Sequence, residues 1–260
     1  MRSGLEGTVN LVEIFSSVQG EGPDVGASTL FARFGRCDLR CRWCDSPHTW
    51  EPATEFRALL PGRVQCRPNP VSLDLVVEAA RALGVERHRF VSLTGGEPLL
   101  QPEAAAWLAR ELRALGPALH LETHGLHASA LELVLPHLDV VSMDWKLASD
   151  VRRASEAKGA RPAPYGAAHR AFLERAAAAP RVVVKVVVTP ASEDAEIDEA
   201  VACVAAVVPG ATFVLQPVTP HGPVRERPSA ERLLTLAARA ESRLQDVRLI
   251  PQTHPIYGAP

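Results

Sequence analysis

Apolar positions along the chain fall into short strand-like runs and longer stretches with helical spacing. Residues 9–15 and 29–34 read as strands, separated by the glycine-punctuated loop 16–22. A helix is expected over residues 72–83, with Ser72 as its cap. Strands then alternate with helices: strand 89–93, helix 102–115, strand 118–122, helix 128–135, strand 139–143. The alternation resumes with helix 165–179, strand 182–188, helix 194–208, strand 212–216, helix 230–241 and strand 247–250. Two stretches interrupt it. Residues 46–69 contain Pro47, Pro52, Pro61 and Pro68 without a clear period, which predicts irregular structure. Residues 147–164 are polar and read as a loop inserted into the repeat.

Six or more strand-then-helix units predict an α/β fold of parallel strands with crossover helices. No linker or repeat divides the chain, so residues 1–260 are taken as one domain. Polar and glycine-rich residues gather just after strand ends, at residues 94–97, 122–125, 144–146 and 216–217. Barrels and open α/β sheets both place active sites there. No dinucleotide-type glycine fingerprint follows the first strand, so a complete or partial (β/α) barrel fits better than a Rossmann sheet.

Composition narrows the function classes. With 260 residues, 47% hydrophobic and 22% charged, the chain can bury a substantial core. A net charge of −2 gives no general attraction to nucleic acid or to an anionic membrane. No apolar run approaches the roughly 20 residues that span a bilayer, and no export signal opens the chain. Five cysteines without such a signal point to the reducing cytoplasm. Cys203, in an apolar helical run, is most simply a small buried hydrophobe.

Three of the cysteines, Cys37, Cys41 and Cys44, stand at spacing C-x3-C-x2-C directly after a strand. An odd number in so short a run is no disulfide framework; three thiolates suit a soft metal centre. Spacing alone leaves two readings: structural zinc with a fourth ligand such as His48 or Cys66, or an iron–sulfur cluster with one open iron. The loop Thr94-Gly95-Gly96-Glu97-Pro98 is either a tight turn opening a helix or a bare backbone edge for a polar ligand, with Glu97 free to pair with a cation. The Gln19-Gly20-Glu21-Gly22 segment is either a loop or a polar clamp. Lys185 lies inside an apolar strand, so it must reach the strand end or find a partner. Of the nine histidines, only His124 and His254 sit in suggestive loops.

Together these pieces resemble the radical S-adenosylmethionine superfamily. Within it, Ser17-Val18-Gln19-Gly20-Glu21-Gly22, Cys41-Arg42-Trp43-Cys44-Asp45-Ser46, Thr94 to Pro98, Leu215-Gln216-Pro217 and Pro251-Gln252-Thr253-His254 resemble the 7-carboxy-7-deazaguanine synthase family. The resemblance runs from about residue 12 to the end. It implies a partial or modified (β/α) barrel and a [4Fe-4S] cluster held by Cys37, Cys41 and Cys44, with S-adenosyl-L-methionine on the open iron. The implied reaction is radical ring contraction of 6-carboxy-5,6,7,8-tetrahydropterin to 7-carboxy-7-deazaguanine with loss of ammonia, on the way to queuosine and related deazapurines. The radical comes from the cofactor, so no side chain is expected to be catalytic in its own right.

By the same resemblance, Val18, Gln19, Gly20, Glu21, Arg33 and Thr94 contact substrate, Arg33 through its carboxylate, and Pro260 closes the pocket as part of a C-terminal tail. Trp43, Cys44, Asp45, Gly96, Asp144, Trp145, Lys146, Gln216 and Pro217 face the cofactor, and Ser46 holds Mg2+. A homodimer and an electron donor such as flavodoxin are also implied, with no nucleic-acid or membrane partner. Four features depart from the family pattern: His124 where Asn is frequent, Asp144-Trp145-Lys146 in place of Ser-Pro-Lys, His254-Pro255 in place of His-Lys, and residues 147–164, which have no counterpart. Two other functions share part of this pattern, an activase that makes a glycyl radical on a partner protein and a non-catalytic zinc-binding module.

Overall fold

The computed structural model describes residues 7–157, 159 and 162–258. The chain opens with β1 (Thr8–Val9) and β2 (Leu11–Val18), and β3 (Ser28–Phe34) returns antiparallel beside β2. β4 (Leu39–Cys41) lies in the cysteine loop, and β5 (Glu55–Leu60) and β6 (Arg63–Pro68) form a hairpin. β7 (Val71–Ser72) pairs with β1 and leads into α1 (Leu73–Ala82). Then come β8 (Phe90–Gly95), α2 (Pro102–Arg113), β9 (Ala118–Thr123), α3 (Ala128–Val134), β10 (Val140–Asp144) and the short β11 (Val151–Arg153). The chain finishes with α4 (Gly166–Ala176), β12 (Arg181–Val188), α5 (Asp194–Val207), β13 (Thr212–Pro217), α6 (Ala230–Glu241), β14 (Val247–Leu249) and α7 (His254–Tyr257).

Ten strands make one sheet in the order β14-β13-β12-β10-β9-β8-β3-β2-β5-β6. The seven from β14 to β3 are mutually parallel. From β8 onward each new parallel strand is added on the same side of the last. Right-handed crossovers that always advance in one direction place the crossover helices on one face of the sheet. The main apolar core fills the space between that face and the helices. The opposite face is left for the interior of a partial barrel; among the described residues its two edge strands, β14 and β6, do not pair with each other.

Local chemistry accounts for the elements. Ser72 caps α1 by accepting from the Leu75 amide at 3.3 Å, and Ser229 caps α6 by accepting from Arg232 at 3.2 Å. β12 is a run of buried valines on both faces, as a central parallel strand requires.

Two expectations need correction. Residues 46–69 are not irregular throughout, because β5 and β6 extend the sheet beyond β2. Phe56, Ala58 and Leu60 alternate inward, and Gly62 at positive φ makes the turn; Pro61 and Pro68 flank the strands and mask this period. Residues 147–164 are not a plain loop, because β11 pairs with β4 and braces the cysteine loop. Three residues are too few to show a strand pattern.

Phe172 in α4 is fully buried against this core. Phe172→Ala is expected to destabilise the protein by about 3–5 kcal/mol in chemical denaturation. Leu234→Ala, at a side chain 66% exposed, should stay within about 0.5 kcal/mol of wild type.

Candidate active site

β3 delivers the chain to Gly35 and Arg36, and Arg36 takes a left-handed φ of 74°. The cysteine loop then lies directly on the Thr94–Pro98 turn. Glu97 donates its amide to the Arg36 carbonyl at 2.8 Å, and Gly96 donates to Phe34 at 2.9 Å. A side chain on Gly96 would strike the Arg36 carbonyl, and one on Gly95 would come within 2.6 Å of the Phe34 backbone. Glu97 does not wait for a cation. It is 0% exposed and latches the turn to the end of β9, accepting from Leu99 N at 3.0 Å, Thr123 Oγ1 at 2.8 Å and His124 N at 2.9 Å. On the loop's other side β11 pairs with β4, and Ala154 N donates to Asp38 O at 2.7 Å. Asp38, next to Cys37, takes the Nε2 atoms of His124 at 2.8 Å and His127 at 3.2 Å.

Beside this loop lies a cavity of about 460 Å3 at the C-terminal ends of the parallel strands. Cys37, Cys41 and Cys44 are half-buried on its wall as free thiols. Burial pushes the Cys37 thiol up to about 12 and Cys41 up to about 11, and raises Cys44 as well. Three desolvated sulfurs on a braced loop call for a cationic group to stabilise their thiolates. Thiolates on one tetrahedral zinc would lie about 3.8 Å apart, given Zn–S bonds of about 2.3 Å. Among the described residues only Asp38, His124 and His127 form a three-ligand set with all donor atoms within 4.8 Å. The three cysteine sulfurs do not all lie within that limit, as three ligands of one zinc would. Of the fourth zinc ligands considered, Cys66 is exposed on the sheet-edge strand β6.

Charged side chains on the inward parity of the strands line the rest. Lys185 reaches Asp144 Oδ1 at 3.1 Å and is paired with Glu21; Lys146 reaches Asp144 Oδ2 at 2.8 Å. Burial alone would discharge these lysines, but Asp144 outweighs it and raises both, and they in turn hold the Asp144 carboxyl low against its own burial. Arg33 Nε pairs with Glu13 at 3.0 Å, while the guanidinium stacks over Phe15. Desolvation would raise the half-buried Glu122 carboxyl, yet hydrogen bonds from Gln19, Ser92 and Thr94 keep it below the usual range. Lys146 Nζ stands 4.8 Å over the Trp43 ring.

The C-terminal segment closes one side. Thr253 N donates to Gly20 O at 2.9 Å, and Gln252 Nε2 bridges Glu21 at 2.5 Å and Asp45 at 3.1 Å. Gly20 is required here, since a side chain would sit 2.7 Å from the His254 ring.

The cavity therefore brings together Val18, Gln19, Gly20, Glu21, Arg33, Cys37, Cys41, Trp43, Cys44, Asp45, Ser46, Thr94, Gly96, Asp144 and Lys146 as the sequence predicts. It does not include three others. Trp145 turns the opposite way from its neighbours, as strand-like alternation demands, and packs in the core 4.5 Å from the His169 ring. Gln216 and Pro217, at the end of β13, lie outside the lining. Pro260 falls outside the described residues. Sequence reasoning passed over Glu13 and His120, both detectable as polar residues at inward positions of apolar strands, and noted Glu122 and Gln252 only within a strand-end cluster and a C-terminal motif, without a site role.

A family model described as the radical SAM superfamily matches residues 32–204. A 7-carboxy-7-deazaguanine synthase of Geobacter sulfurreducens is 39% identical over 267 aligned residues, covering 95% of this chain and 96% of that protein. One from Thermococcus kodakarensis is 38% identical over 149 residues, 53% of this chain and 58% of that protein. The crystal structure of QueE from Escherichia coli superposes with a TM-score of 0.63 at 24% identity, covering 95% of each chain, and so shares the fold.

Under the site, burial pushes the His169 imidazole down to about 3. The folded protein keeps it neutral, and unfolding lets it take up a proton. Its contribution is therefore complete above pH 6.5 and is lost as pH falls from there toward 3, by up to about 1.4 kcal/mol per pH unit. Denaturation midpoints measured from about pH 7.5 to 5 should fall with acid, and His169→Gln should flatten that slope.

Proposed function

We infer that the chain, which belongs to the radical SAM superfamily and within it to the 7-carboxy-7-deazaguanine synthase family, converts 6-carboxy-5,6,7,8-tetrahydropterin to 7-carboxy-7-deazaguanine with loss of ammonia. The carrying observation is that one cavity is lined both by the three thiols and by the cationic Arg33 with the Gln19–Glu21 loop. The conversion is redox-neutral overall, since substrate minus one ammonia accounts for every atom of the product. Cys37, Cys41 and Cys44 would hold a [4Fe-4S] cluster, which with S-adenosyl-L-methionine would supply 5′-deoxyadenosyl radical chemistry at this cavity.

The chain's own residues bind and orient. The Arg33 guanidinium donates only its Nε to Glu13, so its terminal amino groups remain for a substrate carboxylate. Thr94, Gln19 and Glu21 present polar groups to the same molecule. Trp43, Asp45, Lys146 and the bare backbone at Gly96 border the thiols, where the cofactor would rest. Asp144 and Glu21 together balance the charges of Lys146 and Lys185, Asp144 pairing with both lysines. The Ser46 hydroxyl, 3.0 Å from Asp45 Oδ1, offers hard oxygen ligands suited to Mg2+. The tail residues Gln252 to His254 lie against the Gln19–Glu21 loop and are hydrogen-bonded to it. An electron donor of the flavodoxin type, a homodimer and a cytoplasmic location complete this reading. Among the described residues no helix is long and apolar enough to cross a membrane.

Anaerobically prepared protein should carry about four irons per chain with broad visible absorption, both lost in Cys41→Ala. Given S-adenosylmethionine and a chemical reductant in place of the electron donor, it should convert the carboxytetrahydropterin with no protein substrate present; one zinc and no iron, or no turnover, would overturn the reading. Arg33→Ala should raise KM for the pterin at least ~30-fold while iron content and S-adenosylmethionine affinity stay at wild-type values.

A further inference from the structure

Deep in the cavity stands a polar ring that nothing in the protein engages. His120 projects from β9 two residues before Glu122, on the same face of the strand, and lines the cavity. Ala118, two residues earlier on that face, packs against the apolar cluster of Phe90, Val140, Val183 and Val214. His120 therefore marks the level at which the apolar interior gives way to the polar pocket. The residue is 4% exposed, and neither Nδ1 nor Nε2 has a hydrogen-bond partner. Ser92, its partner in register, turns its hydroxyl to Glu122 instead. The nearby charges are occupied elsewhere: Asp24 with Arg181, and Lys185 with Glu21 and Asp144. Burial lowers the imidazole's affinity for a second proton, so the neutral ring offers one N–H donor and one acceptor nitrogen. Phe90 packs against it at 5.9 Å, so a phenyl ring would satisfy the packing. An unpartnered imidazole at such a place is destabilising unless a ligand completes it.

We propose that His120 recognises the 2-amino-4-oxopyrimidine end of the substrate, the end farthest from its carboxylate. This rests on the function inferred above. Arg33 is in register with Thr94, which donates to Glu122, and Ser92 and His120 lie one inward position deeper. A flat bicyclic acid whose carboxylate meets Arg33 presents its opposite end to those deeper groups. That end carries N–H donors and a carbonyl acceptor, which a neutral imidazole and the Glu122 carboxylate match.

The test uses cluster-loaded wild type, His120→Phe and His120→Gln, with 6-carboxypterin and its 2-oxo analogue 6-carboxylumazine as unreactive fluorescent binding probes. His120→Phe is expected to weaken 6-carboxypterin binding about 10- to 100-fold and to erase the preference over 6-carboxylumazine. KM for the tetrahydropterin should rise in step, with kcat within about threefold of wild type. His120→Gln, which keeps a donor and an acceptor, should recover most of the affinity, and S-adenosylmethionine binding should be unchanged in both variants. Probe affinity within about twofold of wild type in His120→Phe, or equal losses for pterin and S-adenosylmethionine, overturns the proposal. If His120→Phe does not retain iron, His120→Gln decides through the ratio between the two probes. There a wild-type ratio of the two affinities at wild-type affinity supports retained donor–acceptor recognition, whereas parallel loss of both overturns it. A wild-type protein that binds the pterin without discriminating the two probes sinks this inference alone. One that neither binds nor converts the pterin sinks the function with it.

Discussion

At Gly96 two stretches of backbone lie so close that a single methyl group would strike the Arg36 carbonyl. This contact sets the position of the whole cysteine loop. Arg36 there takes a left-handed φ, the Glu97 amide bonds the Arg36 carbonyl and the Gly96 amide bonds the end of β3. Glu97 in turn locks the turn to β9, and β11 braces the loop from the other side. The three thiols are thus carried on backbone fixed at both flanks, where ligand spacing is set by hydrogen bonds and not by side-chain rotamers. The glycines that a sequence reader assigns to ligand binding serve first to let one loop rest on another.

The charges around the cavity follow a second constraint. Buried ion pairs seldom add net stability, because desolvation offsets their attraction. Here they position. Lys185 draws Glu21 down from the Gln19–Glu21 loop, and Gln252 ties that same carboxylate to Asp45 of the cysteine loop. The Gln19–Glu21 loop, the thiol loop and the C-terminal tail are joined around one acid. Against this background of paired groups, His120 stands out as the buried side chain of the cavity with both ring nitrogens idle.

Much of this was legible in the sequence, for identifiable reasons. Parallel strands buried on both faces leave apolar runs, and crossover helices leave amphipathic ones, so the alternation was visible and its strand ends located the site. The C-x3-C-x2-C spacing announced a metal centre because so few local structures need it. Lys185 had to find a partner inside an apolar strand, and it did. The β5–β6 hairpin escaped because prolines at its turn and end hid the alternation of Phe56, Ala58 and Leu60. The loop-like residues 147–164 concealed β11 because a three-residue strand has no period to detect.

The sequence by itself determined the alternation of parallel strands with their helices, the strand ends that carry polar residues and the clustering of three thiols on one loop, since all three depend on local spacing and side-chain type. Tertiary structure alone decided partners. Glu97 became a latch and not a cation site, Trp145 went to the core while Asp144 and Lys146 faced the cavity, and Gln252 reached Glu21 across more than two hundred residues. Those outcomes depend on strand parity, register and the close approach of distant backbones, which no local pattern encodes.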